Sequence, residues 1–129
     1  MNTMLLSAVA FLTATVQTPE MINDHVGVYR HLEFVSHSDG ALQLDLYVPG
    51  GAGEPVPAII VIPGGGFRSQ VKEKFAAEAQ RLAEAGFAAA SIGYRGSPEH
   101  TFLATVHDTK AAVRFIRANA AQFNIDPDL

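Results

Sequence analysis

The chain has 129 residues, 48% of them hydrophobic and 17% charged, with a formal net charge of −4. That length suits one ordinary domain, the apolar share excludes a disordered polymer, and the negative balance offers no basic surface for nucleic acid. The absence of cysteine excludes disulfides, thiolate catalysis and cysteine-ligated metals.

Residues 4–16 are mostly apolar or small, and no Lys or Arg precedes Arg30. Such a run is too short to span a bilayer but matches the apolar core of an export signal. The usual basic start is missing, and Ala8-Val9-Ala10 has the small-x-small cleavage pattern early. Residues 1–18 are therefore expected to be an export signal or, as the alternative, an apolar leader on a cytoplasmic protein, with no stable membrane span, and 26–129 to be the N-terminal part of a single domain.

Segments 28–35 and 42–48 flank Ser38-Asp39-Gly40, and Asp-Gly between two alternating runs predicts a β-hairpin. Leu42, Leu44, Leu46 and Val48 share one face of the second strand, with Gln43, Asp45 and Tyr47 expected on a polar outer face. After a Gly- and Pro-rich loop, 58–62 is apolar at every position, which predicts a strand buried on both faces. Helical periodicity follows over 71–85, with Phe75, Ala79 and Leu82 inward and Lys72, Glu73, Glu78, Arg81 and Glu84 toward solvent. Gly86 is placed to cap that helix in the left-handed conformation, and 87–92 returns to a short apolar strand. Strand, helix and strand of this kind make a parallel crossover. The last helix, 102–121, is expected to bury Val106, Thr109, Val113, Ile116 and Ala120. Lys110, Arg114 and Arg117 lie late on it and complement its dipole. Asp126-Pro127-Asp128 then breaks the helix and leads toward a further strand.

Pro63-Gly64-Gly65-Gly66-Phe67, directly after a buried strand, is the most informative run. Consecutive glycines expose backbone N–H groups that no Cβ shields, and such groups can bind developing negative charge. A tight turn needing positive φ is the plainer alternative. No Gly-x-Ser-x-Gly turn, the usual setting of a nucleophilic serine, occurs in these residues.

The stretch from Val61-Ile62-Pro63 through Tyr94-Arg95-Gly96-Ser97-Pro98-Glu99 to Ala118-Asn119-Ala120-Ala121 and Ile125-Asp126-Pro127 resembles the N-terminal half of the α/β-hydrolase esterases and lipases. The resemblance is to the branch of feruloyl-esterase-like and hormone-sensitive-lipase-like carboxylesterases, and it covers about residues 28–128. It implies a partial α/β-hydrolase fold: an antiparallel hairpin, then parallel βαβ and a helix, without the C-terminal half of the sheet. It further implies that the Gly65 and Gly66 amides belong to an oxyanion hole for an ester substrate, and that no cofactor or metal is needed. The catalytic serine, acid and histidine of the family have no counterpart here, so these residues are expected to be inactive alone. Pro63 stands where many relatives have histidine, which removes an anchoring imidazole but stiffens the turn.

Ser97 precedes a proline rather than sitting on a nucleophile elbow and is not read as the nucleophile. The resemblance gives Arg95, Glu99 and Asp108 structural roles. His25, His31, His37, His100 and His107 show no i, i+4 pairing for a metal, and His107 and Asp108 are helix neighbours that point to different faces. Two other readings remain open at this point. Gly64, Gly66 and Ser69, with Arg95 after the next strand, partly imitate a dinucleotide-binding βαβ unit. Alternatively the chain is a non-catalytic module completed by a partner, or one that self-associates through an open edge at 58–62.

Overall fold

A computed structural model describes residues 17–51 and 53–129, so the leader reading falls almost entirely outside the described residues. The elements run β1 (Glu20–Met21), β2 (Val26–His37), β3 (Gly40–Pro49), β4 (Ala58–Val61), α1 (Ala76–Glu84), β5 (Ala88–Ile92) and α2 (Phe102–Ala118). The strands form one sheet in the order β1-β2-β3-β5-β4, with β4 and β5 parallel and the other pairs antiparallel. Helices cover both faces, because two separate apolar clusters lie on opposite sides of the same strands. Leu44, Leu46, Ala88, Ala90 and Ile92 pack with Ala112 and Ile116 of α2. Tyr47 and Ala89, from the alternate positions, pack with Ala79 and Ala83 of α1.

The hairpin forms around Asp39-Gly40 as the sequence predicts, and Gly40 takes a φ of 133°. Its first strand carries a bulge between Tyr29 and Leu32, where Arg30 and His31 together face Asp45. His31 adopts φ 57° there, and its N–H donates to Asp45 Oδ1 at 2.8 Å. One extra residue reverses the alternation. Val26 and Val28 consequently face α1, whereas Leu32 and Phe34 face α2.

Three expectations are corrected. First, the polar outer face of β3 is confined to Gln43, which is exposed: Asp45 and Tyr47 are buried, because α1 covers that part of the side that alternation assigned to solvent. Second, β4 is not buried on both faces; it is half-buried along its length, because it ends the sheet and has a neighbour on one side only. Third, α1 begins at Ala76 rather than near 71, and Lys72, expected in solvent, is buried against the sheet. Its ammonium donates to Asp45 Oδ2 at 2.9 Å and Glu73 Oε1 at 2.8 Å, and its carbonyl accepts the Ser91 hydroxyl. Burial alone would lower the Lys72 pKa, but the hydrogen bonds to Glu73 and Asp45 outweigh it and raise the value.

β5 reads Ala-Ala-Ala-Ser-Ile, a poor strand former by composition, yet all five residues are buried. Pairing on both edges overrides the weak propensity, and small side chains let both helices approach the sheet closely. Gly86, at φ 99°, ends α1 as expected. Beyond α2, Asn124 turns with φ 54° and Ile125 bridges to Val56 in parallel, as the start of a strand beside β4 would.

Candidate active site

Parallel strands deliver their carboxyl ends to the same rim of a sheet, and that rim is where ligands of open α/β sheets bind. β4 and β5 are such a pair, so the loop 62–75 after β4 and the loop 93–101 after β5 emerge side by side. They are stitched together by backbone. Gln70 and Tyr94 exchange both hydrogen bonds at 3.0 and 3.1 Å, and the Ser97 N–H donates to Phe67 O at 2.8 Å. The Ser69 hydroxyl accepts from the Gly96 N–H at 2.8 Å. Gly96 has to be glycine for this contact: a Cβ would stand 2.2 Å from Phe67 O and 2.7 Å from the Arg68 carbonyl carbon.

Within the glycine run the carbonyls of residues 63–65 each have a partner, whereas Gly66 O accepts no bond among the described residues. Pro63 O accepts the buried Tyr94 hydroxyl, Gly64 O accepts the Lys74 ammonium, and Gly65 O accepts the Arg68 N–H at 3.2 Å. Burial pushes the Tyr94 phenol above its usual pKa, which keeps its proton available for donation. The Gly65 and Gly66 amides, by contrast, have no acceptor among the described residues, and both glycines are exposed. Gly66 and Phe67 have φ of 61° and 63°. Positive φ is free for glycine but unfavourable for a bulky aromatic, so the stitching to 94–97 holds Phe67 in a conformation it would not choose. The exposed Phe67 ring meets Phe102, at the start of α2, edge to face at 5.4 Å.

The Gln70 side chain lies over Gly65, where an added Cβ would come within 2.0 Å of Nε2. Gln70 Nε2 donates to Arg68 O at 3.2 Å, and its Oε1 accepts from Lys74 Nζ at 2.8 Å. Pro63 is fully buried, so the position that resembles a relative's histidine acts here as a stiff, packed base for the turn.

Asp108 is the second centre. It is completely buried on α2, and it accepts from the Arg95 N–H at 2.9 Å and from Arg95 Nε and Nη2 at 3.0 Å each. His37, from the end of β2, lies with Nε2 3.0 Å from Oδ1. Burial would raise the carboxyl pKa, but the Arg95 hydrogen bonds, with a further one from His37, prevail and hold it below the ordinary carboxylate range. The Thr105 hydroxyl adds a bond to Arg95 O. Asp108 and Arg95 thus fix the loop after β5 to α2, a structural role. Glu99 is exposed, and the partner of Arg95 is Asp108.

The remaining residues with chemical potential do not converge. Ser97 is exposed beside a cis Ser97–Pro98 bond, and His107 is exposed on α2. His100 pairs with Asp39 across the surface at 3.1 Å. Among the described residues no three His, Asp or Glu side chains gather to hold a metal ion, and no helix is long and apolar enough to cross a membrane. α1 starts at Ala76, ten residues beyond Gly66, so the loop does not run into a helix N-terminus as a dinucleotide loop would. Sequence reasoning singled out the glycines, Arg95 and Asp108. It missed the clamp of Tyr94, Lys74 and Gln70, for which the only local signal is the i, i+4 spacing of Gln70 and Lys74.

The BD-FAE family model matches residues 44–129. Esterase LipQ of Mycobacterium tuberculosis is 35% identical over 77 residues, which is 59% of this chain and 18% of that protein. A probable isoprenylcysteine alpha-carbonyl methylesterase of Oryza sativa is 31% identical over 86 residues, 67% of this chain and 21% of its own length. Among solved structures, a bacterial heroin esterase superposes with a TM-score of 0.68 at 33% identity, over 81% of this chain and 33% of that one. A truncated form of a carbohydrate esterase from gut microbiota gives 0.71 at 31% identity, over 87% and 40%. The chain therefore spans about a fifth of the curated relatives, 21% and 18%, and between 33% and 40% of those two structures.

Proposed function

This chain belongs to the BD-FAE family of α/β-hydrolase esterases, and from that premise we propose that it supplies the oxyanion-binding part of a carboxylic-ester hydrolase. The observation that carries the reading is a contrast along the glycine run: the carbonyls of residues 63–65 are all engaged, while the amides of the exposed Gly65 and Gly66 have no acceptor among the described residues. Attack on an ester carbonyl places a full negative charge on its oxygen. Two fixed N–H groups aimed at that oxygen stabilise the tetrahedral intermediate more than the planar ester, because they need no reorganisation as charge develops. One such donor is worth about 3 kcal/mol of barrier in characterised hydrolases.

In this reading the serine nucleophile, its histidine and its acid lie outside the 129 residues, since neither Ser97 nor His107 has the surroundings of either role. The substrate is a small-molecule ester. The site takes no cofactor, because charge stabilisation here comes from main-chain dipoles. The uncharged edge of β4 supports a companion proposal, association with another chain through that strand.

Two measurements test the site. Titration with diethyl phosphate, a tetrahedral anion, should move the Gly65 and Gly66 amide resonances more than any others. The same chain should not hydrolyse p-nitrophenyl butyrate faster than a heat-inactivated sample. Amides that do not respond would remove the oxyanion role, and steady turnover abolished by Ser97→Ala or His107→Ala would put a nucleophile or base inside the chain.

A further inference from the structure

We propose that Lys74 is a positioning residue that aims and polarises the Gly65 amide through the Gly64 carbonyl. The proposal rests on the oxyanion reading of this loop and adds to it the group that sets its geometry. The Gly64 carbonyl and the Gly65 N–H belong to one planar trans peptide, in which they point in opposite directions. Whatever holds the oxygen therefore fixes the direction of the hydrogen. Lys74 Nζ donates to that oxygen, so the Gly65 N–H points away from the ammonium.

Lys74 is itself constrained. Its ammonium also donates to Gln70 Oε1 at 2.8 Å, and it lies 5.9 Å from the centre of the Phe75 ring. Gln70 in turn is fixed by both main-chain bonds to Tyr94 and by its Nε2 bond to Arg68 O at 3.2 Å. The clamp therefore runs from the rim of β5 through Gln70 and Lys74 to the peptide between Gly64 and Gly65. The following peptide is set by the Arg68 N–H on Gly65 O, a neutral donor at 3.2 Å. Of the two amides, Gly65 alone thus has a full positive charge on its own carbonyl partner. A cation at the oxygen end of a peptide draws electron density from the nitrogen, and hydrogen bonds in series strengthen one another in this way. Gly65 is accordingly the stronger of the two donors.

The test uses the full chain and its Lys74→Gln and Lys74→Arg variants. Without any anion, Lys74→Gln should shift the Gly64 carbonyl carbon resonance upfield and change the Gly65 N–H residual dipolar coupling, while Gly66 stays as it was. Its affinity for diethyl phosphate, read at Gly65, should fall roughly fivefold, as expected for loss of a charge-assisted bond. Lys74→Arg keeps a cationic donor and should restore both signals. An unchanged Gly64 carbonyl and Gly65 coupling in Lys74→Gln would overturn the proposal, even with weaker anion binding, because charge alone would then account for the loss. If diethyl phosphate moves neither glycine in the unsubstituted chain, the oxyanion reading fails. The carbonyl and coupling data still decide whether Lys74 sets the peptide. Equal melting temperatures for the three proteins confine the effect to the loop.

Discussion

Gly96 and Gly64 show how two glycines in one site can serve different physical ends. At Gly96 the backbone of Phe67 and Arg68 occupies the volume of a methyl group, with contacts of 2.2 and 2.7 Å to an added Cβ. Both are main-chain atoms that cannot swing aside. At Gly64 the same construction meets nothing within 4 Å, and its φ is not positive. Gly96→Ala should therefore cost about 1–3 kcal/mol in urea unfolding, the usual range for inserting a methyl group into packed space. It should also move the Gly65 and Gly66 amide resonances, because Phe67 is driven off its bond to Ser97. Gly64→Ala should leave both nearly unchanged. Equal losses for the two would mean that the loop needs glycine for conformational freedom rather than for closeness. The sequence made the glycine run legible through its position after a strand. It could not show the need at Gly96, because the atoms that enforce it belong to a segment 27 to 29 residues earlier and meet it only after β4 and β5 pair.

At the scale of elements, α2 is where sequence periodicity and structure part. The period predicts Val106, Thr109 and Val113 on the buried stripe, but they are only half-buried, and Asp108, Ala111, Ala112 and Ile116 are covered. Ile116 and Ala120 are buried as the period predicts, so the covered stripe is rotated rather than misplaced: apolar spacing cannot register a buried carboxylate, and Asp108 joins Ala111 and Ala112 on the covered side. Val113 instead lines an open groove with Ala58 and Ile60 along β4. Asp108 binds three elements at once: its own helix, the loop after β5 through Arg95, and the end of β2 through His37. Asp108→Asn keeps the shape but removes the charge that Arg95 needs, and should lower stability at pH 7 by about 2 kcal/mol, given that Arg95 keeps partial access to water. The pH dependence has a definite sign. A carboxyl held below its ordinary value in the folded state contributes fully above the unfolded pKa near 4, and the contribution is lost as pH falls through the lower folded value. The stability gap between the unsubstituted protein and Asp108→Asn should thus be constant from pH 7 to about 5 and close below that. A gap that does not narrow as the pH falls below about 4, or one that never opens, would deny Asp108 its role as the charged centre of this junction.

Among the described residues the sheet has two edges of different chemistry. β1 and the bulged β2 end it on the hairpin side. On the far side β4 offers Ala-Ile-Ile-Val, with no charge or proline of its own, followed by Ile62, which is 51% exposed. Reading 58–62 as a buried strand was sound chemistry for its composition, since a run of this kind is built to be paired on both edges. Here only β5 pairs with it, so the mismatch between composition and burial marks a surface that is apolar and still has unpaired backbone groups. The parallel bridge of Ile125 to Val56 shows that a strand can run beside β4 in this register. Edges of this type recruit another strand, and natural sheets blunt them with lysine. The protein should therefore form species larger than its 13.8 kDa monomer in sedimentation velocity, increasing with concentration. Ile62→Lys places a charge at the exposed end of the edge without touching the packed faces, and should shift the distribution toward monomer while leaving the melting temperature unchanged. A monomer at every concentration would show that the edge is silent in solution. Association untouched by Ile62→Lys would move the contact to another surface, and the apolar composition of β4 would then need a different explanation.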